Sequence, residues 1–261
     1  MQESLVGGGA APAAASEPVA EQGRESGQWK LTYFDAPTRG EQLRLLFKVA
    51  DVAFFDQRLE KYPQSMEPLK HAVMGDRSPL LFDQTPMVTS PSGVHVSQTA
   101  AAMQFVGRSL GLTPADPETD ARALALTLGS EEFRNACFYK LFMGRAVRQV
   151  TSWKFYGLCC CVGRCCTCRE RKAKNQFAKF AALFESALRN SAGAYFCGDK
   201  LCYADVAICD SVRETLDLDC FDRADVAVGE TVILLHPPLP LADVSIALER
   251  GCHRNNSLAD G

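Results

Sequence analysis

The chain has 261 residues, 47% of them hydrophobic, and 28 Lys and Arg against 31 Asp and Glu leave a formal net charge of −3. That balance excludes the single-sign field expected of a nucleic-acid-binding protein, and no uninterrupted apolar run of about 18 residues is present to span a bilayer. The unusual count is cysteine, with twelve in all and six crowded between Cys159 and Cys168.

Residues 1–28 are rich in Gly, Ala, Pro and Glu and hold too few large apolar side chains to offset chain entropy, which predicts a disordered segment. They lack the basic end and apolar run of a secretory signal, and four Glu against one Arg argue against a transit peptide. The expected compartment is therefore cytoplasmic, where thiols stay reduced and the cysteines need not pair.

Order is expected from Trp29. Residues 30–34 (KLTYF) have the alternation and the aromatic and β-branched content of a strand, and residues 35–40 (DAPTRG) carry turn chemistry. Leu43, Leu46, Phe47 and Ala50 fall at i, i+3, i+4, i+7, the spacing of an amphipathic helix beginning near Glu41. A second strand follows at 53–59, then a loop rich in Pro and Lys. Strands at 87–89 and 94–96 are separated by a Ser-Pro-Ser-Gly turn, and Gln98 and Thr99 open another helix with Met103, Val106 and Leu110 on one face. Residues 29–112 thus form an α/β unit. Beyond a Pro- and Asp-rich linker at 113–120 the pattern is helical only, at 121–150, 175–190 and 203–216. The second of these is the cleanest, with Phe177, Phe180, Ala181, Phe184 and Leu188 on one face. The helical domain is expected over 121–220. The tail at 221–261 contains Pro237, Pro238 and Pro240, which forbid a continuous helix there.

An α/β unit that begins KLTYF-x4-RGEQLRLLF and ends in a Gln-Thr helix start, followed by a helical half containing YFCGDKLCYADVAICD, resembles the cytosolic glutathione S-transferases. Within them it is most similar to the sigma-like group, which includes the glutathione-dependent prostaglandin D synthases. The resemblance implies a thioredoxin-like α/β domain followed by an all-α bundle. It also implies glutathione as co-substrate, a small hydrophobic electrophile as its partner, a homodimer and no metal. Tyr33 would donate its hydroxyl to the glutathione sulfur, and Arg39 would support the tyrosine and the thiolate. A thiol of the cysteine type has a pKa of about 8.5, and lowering it by two units takes about 2.7 kcal/mol, within reach of a charge-assisted hydrogen bond plus a nearby cation. The resemblance further assigns the cysteinyl backbone to Gln84, Thr85 and Pro86, with Pro86 cis. It assigns the γ-glutamyl carboxylate to Gln98 and Thr99 at a helix N-terminus and the glycine carboxylate to Lys70. Met66 stands where the family often has Trp. Glu131 and Glu132 lie where the family places an acidic residue that reaches the γ-glutamyl amine across the dimer, and Glu132 is the one assigned here. Phe34, Phe138 and Tyr139 are the candidate walls of the electrophile pocket. In the family's N-capping box Cys202 occupies the Ser or Thr position, which predicts a cap weakened by about 1 kcal/mol. The same fold is compatible with an isomerase of the prostaglandin D synthase type, or with a catalytically weak binding protein.

The segment 153–174 (WKFYGLCCCVGRCCTCRERKAK) reads as an insert in a helix connection. Cys161, Cys165 and Cys168 have the spacing of a radical-type iron–sulfur motif, but no barrel strand accompanies them. Zinc would be expected to use paired C-x2-C knuckles. Palmitoylation beside Arg164, Arg169, Arg171, Lys172 and Lys174 would give a membrane contact. The preferred expectation is a disordered insertion without chemistry.

Overall fold

The structure, a computed structural model, describes residues 27–36, 38–59, 80, 82, 84–138 and 160–216, with side chains of the last stretch from Arg171 onward. Most of the expected N-terminal segment, the loop holding Met66 and Lys70, Tyr139, and the tail lie outside the described residues.

The N-terminal unit is a four-stranded mixed sheet in the order β2-β1-β3-β4. The strands are β1 (Trp29–Phe34), β2 (Phe54–Leu59), β3 (Met87–Thr89) and β4 (His95–Ser97). β1 pairs parallel to β2 and antiparallel to β3, and β3 pairs antiparallel to β4 across the turn Ser90 to Gly93. Gly93 holds φ +87° in that turn, a conformation that favours glycine. Helices α1 (Arg39–Val49) and α2 (Thr99–Ser109) pack on each other and on the sheet. Leu31, Leu43, Leu46, Phe47, Val88, Met103 and Val106 make a core from which water is excluded. Burying each such side chain contributes roughly 1.5–3 kcal/mol.

The second half is built from α3 (Pro117–Ala136), α4 (Cys160–Arg189) and α5 (Tyr203–Leu216). α3 takes over the last four residues of the expected linker. Asp116 is its N-cap, its Oδ1 accepting from Thr119 N at 2.8 Å, and Pro117 fills the first helical position. Cap residue and proline together are a helix-start signal. Phe133, Phe177, Ala181, Phe184, Leu188, Phe196, Ile208 and Val212 form a second core, with Phe180 partly buried against it.

α4 corrects the expectation of a disordered insertion for residues 160–174, the part of 153–174 among the described residues. From Cys160 to Arg189 the chain is one continuous helix, so residues 160–174 extend the helix expected at 175–190. Ala173 is fully buried, and its carbonyl accepts from Cys137 Sγ at 3.6 Å. The 161, 165, 168 spacing is also i, i+4, i+7, the period of a helix. Among the described residues no group of His, Cys, Asp and Glu is arranged to hold a metal ion, and no helix is long and apolar enough to cross a membrane.

The two halves share their packing. Tyr203, Ala204, Val206 and Ala207 of α5 complete the core of the α/β unit. Gly107 leaves room for the Tyr203 ring, whose Cδ1 would lie 2.9 Å from a Cβ at that position. Tyr203 Oη donates to Asp120 Oδ1 at 3.1 Å, Gln104 Nε2 donates to Asp120 Oδ2 at 3.1 Å, and Arg108 closes an ion pair on the same carboxylate. Burial raises the Asp120 carboxyl, but the hydrogen bonds from Arg108, Tyr203 and Gln104 outweigh it and hold the group below its usual range. A carboxyl depressed on folding contributes stability that is complete above its unfolded pKa of about 3.9 and is lost as pH falls through the folded value. Asp120→Asn is expected to cost about 1 kcal/mol at pH 7. It should also flatten the acid limb of stability below about pH 4. Urea midpoints at pH 7 and at pH 3 check both effects.

Candidate functional site

The sheet register brings three of the expected site residues to one rim. Thr32, Met87 and Ser97 form the last row paired across β1, β3 and β4. One residue beyond each stand Tyr33, Pro86 and Gln98. Tyr33 is buried along its ring, which lies edge-on to Phe34 at 5.6 Å between centroids. Its hydroxyl meets Thr38 Oγ1 at 2.5 Å.

Thr38 is the site residue that sequence reasoning missed. It is the N-cap of α1, a position where a threonine hydroxyl usually accepts from the helix's own N–H groups. Here its side chain makes no cap hydrogen bond and turns to Tyr33 instead. Arg44, a buried guanidinium between core leucines, fixes the intervening turn. It donates to the carbonyls of Phe34 and Ala36, both at 3.2 Å, and pairs with Asp56 at 3.0 Å and Glu41 at 3.2 Å.

Gly40 is the other support. A Cβ there would sit 2.2 Å from Tyr33 Cδ1 and 2.6 Å from Cγ, so only glycine admits the ring in this position. Gly40→Val is expected to push the phenol off the rim, with an overpacking cost of about 1–3 kcal/mol. The measurement is urea denaturation: the midpoint should fall while unfolding stays cooperative.

Arg39 reaches across to the helical half. Its Nε donates to Glu131 Oε2 at 3.0 Å and its Nη2 to Asn135 Oδ1 at 3.1 Å. The structure therefore brings Glu131 to Arg39, whereas Glu132, the residue assigned from the sequence, is exposed. The reason is helical phase: Glu131 and Asn135 lie four apart on one face of α3, and Glu132 is about 100° round from it. Glu131 continues into a buried network. Arg134 Nε lies 3.8 Å from Glu131 Oε1, and its Nη2 lies 3.0 Å from Asp210 Oδ2. Arg134 also pairs with Glu214, and Arg213 pairs with Asp210 at 2.7 Å. Ser211 Oγ accepts from Arg134 at 3.1 Å and from Gln42 Nε2 at 3.0 Å, and donates to Ala207 O at 2.8 Å.

On the other side of the rim the Thr85–Pro86 peptide is cis. Gln98 Nε2 donates to Gln84 Oε1 at 3.2 Å, which brings these two expected residues together. Gln98 holds φ +73°, an uncommon conformation for a residue with a side chain and a form of backbone strain that clusters at ligand sites. Thr99 is buried as the first residue of α2, just after Gln98 at its N-cap. Phe34 and Phe138 are partly and fully buried, while Met66, Lys70 and Tyr139 lie outside the described residues. Chemically, the rim offers a phenol backed by a hydroxyl, a tethered guanidinium, a cis-proline corner and a helix N-terminus. Such a set suits a short extended anion carrying a thiol.

A mixed α/β sheet domain joined to an α-bundle defines the glutathione S-transferase fold, and comparisons with known proteins carry this further. The family model described as "Glutathione S-transferase, C-terminal domain" matches residues 167–227. Glutathione S-transferase 4 of Caenorhabditis elegans is 25% identical over 188 residues, covering 72% of this chain and 80% of that one. Glutathione S-transferase 1 of Ascaris suum is 36% identical over 95 residues, 36% of this chain and 41% of its own. Among solved structures, prostaglandin synthase D of Nilaparvata lugens aligns with a TM-score of 0.62 at 19% identity, covering 85% of this chain and 97% of its own. The monomeric glutathione S-transferase Na-GST-3 of Necator americanus aligns at 0.58 with 22% identity, covering 81% and 93%. The chain is thus similar in sequence to glutathione S-transferases and shares their fold, and these likenesses support a transferase.

Proposed function

We propose that the protein is a glutathione transferase that activates the glutathione thiol as a thiolate for attack on small hydrophobic electrophiles. The observation that carries this is the Thr38–Tyr33 hydroxyl pair at the rim, in register with cis-Pro86 and Gln98. With Thr38 donating to the phenol oxygen, the Tyr33 proton is directed to the sulfur, and the sequence Thr38 O–H, Tyr33 O–H, S⁻ polarises along its length. The γ-glutamyl carboxylate would sit at Gln98 and Thr99 at the start of α2. The cysteinyl backbone would pair beside Thr85 and Pro86, near Gln84, and Lys70 and Met66 would meet the glycyl end. Arg39 supplies positive charge near the thiolate while held by Glu131. Phe34, Phe138 and Tyr139 would wall the electrophile site. The chemistry needs no metal, because positioning and a lowered thiol pKa suffice. We place the protein in the cytoplasm as a homodimer.

Glutathione-dependent isomerisation of the prostaglandin D synthase type is the second reading, favoured by the fold match to the Nilaparvata lugens protein. Conjugation of glutathione to a chlorinated dinitrobenzene by the full chain tests the first. Turnover above the uncatalysed rate supports it. Retention on glutathione resin without turnover on this substrate or on an endoperoxide would mark a binding protein instead, and neither binding nor turnover would overturn the proposal.

A further inference from the structure

The loop between α4 and α5 holds two thiols that the proposed chemistry does not use. Cys197 and Cys202 are separated by four residues, and the chain between them is folded back and clamped. Tyr195 and Gly198 form an antiparallel bridge, with Tyr195 N donating to Gly198 O at 2.8 Å and Gly198 N to Tyr195 O at 3.3 Å. Ser191 Oγ donates to Tyr195 O at 2.5 Å and accepts from Gly198 N at 3.2 Å. The two oxygens of the buried Asp205 carboxylate accept from Phe196 N at 2.8 Å and from Cys202 N at 2.7 Å, which sets the strand entering Cys197 beside the one that carries Cys202. Cys202 is buried and Cys197 half-buried against the same apolar cluster.

We propose that Cys197 and Cys202 form a reversible disulfide under hydroperoxide, making the entry to α5 a site of oxidative modification. The clamp holds the two thiols close enough to act on each other, and this mutual influence holds Cys197 below the usual thiol range and pushes Cys202 well above it, with burial adding to the rise. The half-buried Cys197 is accordingly the attacking thiolate. Its sulfur takes one peroxide oxygen as the O–O bond breaks, giving sulfenic acid and hydroxide, which leaves as water once protonated. Cys202 sulfur then attacks Cys197 sulfur and gives up its proton, the S–O bond breaks, and a second water leaves. Two thiols are oxidised by two electrons and one hydroperoxide is reduced.

The test uses the full chain treated with a few equivalents of hydrogen peroxide, quenched in acid, alkylated in denaturant and digested with trypsin. Cleavage after Lys200 separates the two cysteines, so the disulfide joins peptide 190–200 to peptide 201–213. Fragment ions assign the second partner to Cys202 or to Cys209. The expected result is this linked pair, two hydrogens lighter than its parts, with alkylation of Cys197 and Cys202 falling together and returning after dithiothreitol. In Cys197→Ser, loss of alkylatable Cys202 should slow at least about tenfold. A wild type in which Cys197 passes to sulfinic acid with no linked peptide, a link through Cys209, or both thiols still alkylated after peroxide each overturns the proposal. So does an unchanged Cys202 rate in Cys197→Ser.

Discussion

Replacing Tyr33 with Phe is expected to lower the rate of glutathione conjugation by one to two orders of magnitude while leaving the fold intact. The phenylalanine ring keeps the contacts with Phe34 and the space above Gly40, so packing is preserved. On the proposed chemistry the rate falls through loss of the hydrogen bond to a charged sulfur, of the order of 1.5–3 kcal/mol, or about 10- to 150-fold, while the Thr38 hydroxyl also loses its partner. The loss should depend on pH with a definite sign. A bound thiol whose pKa has moved back toward about 8.5 is mostly protonated at pH 6.5, so the deficit is largest there and shrinks by pH 9. Thr38→Val tests the other hydroxyl. It leaves the phenol but removes the group that orients it, and roughly a threefold to tenfold loss is expected, within the range of one neutral hydrogen bond. Rates measured across pH 6–9 for both variants check this, and a Tyr33→Phe protein with wild-type turnover at pH 6.5 would remove Tyr33 from the chemistry.

The largest effect on stability is expected at Arg134. Its guanidinium has no exposed surface and lies among Glu131, Asp210 and Glu214, with Arg39 and Arg213 as the other cations of the network. Among the described residues three guanidinium groups face three carboxylates, and Arg134→Met leaves three acids with two cations. Removing one partner of a buried ion pair costs about 3–5 kcal/mol, because the remaining charges lose their compensation in a medium that solvates them poorly. For a domain pair of this size that corresponds to a fall in Tm of about 10 °C. The double variant Arg134→Met with Glu214→Leu should recover part of the loss, since it restores charge balance and adds apolar volume. Thermal denaturation of the three proteins decides it. A single variant melting within about 2 °C of wild type would show that water, not protein, solvates these carboxylates.

Local pattern was a good guide wherever local chemistry decides the outcome. The strand at 29–34, the helix after the DAPTRG turn and the helix at 203–216 all follow from periodicity and turn residues, within one or two positions. Family motifs pointed to Tyr33, Pro86 and Gln98 before any register placed them on one rim. The misses have physical reasons. Asp116-Pro117 signals a helix start, but a run of Pro and Asp also reads as a linker. The cysteine-rich stretch 160–168 reads as a disordered insertion because its composition is unusual, although cysteine is a small apolar residue that a helix accepts. Thr38 stands where threonine ordinarily caps, and only the position of the Tyr33 hydroxyl reveals another use. The Arg39–Glu131 pair was not foreseen because which glutamate faces α1 is a rotation about α3 that no local signal fixes, and it leaves the cross-dimer role expected of Glu132 untouched. Arg44 and Arg134 sit among apolar neighbours in sequence as solvent-facing residues would, and their burial is visible only with their carboxylates in place.

The core shared between β1, α1, α2 and α5 has a consequence for biosynthesis. Trp29 and Ala207 belong to one apolar cluster although most of the chain lies between them. During translation the α/β unit leaves the ribosome with the face later covered by Tyr203 and Val206 still wet. At about 5–20 residues per second, roughly 5–20 s separate the emergence of α2 from that of α5. Through that interval the nascent chain presents an open apolar surface, and the first half can reach its final packing only once the second has been made.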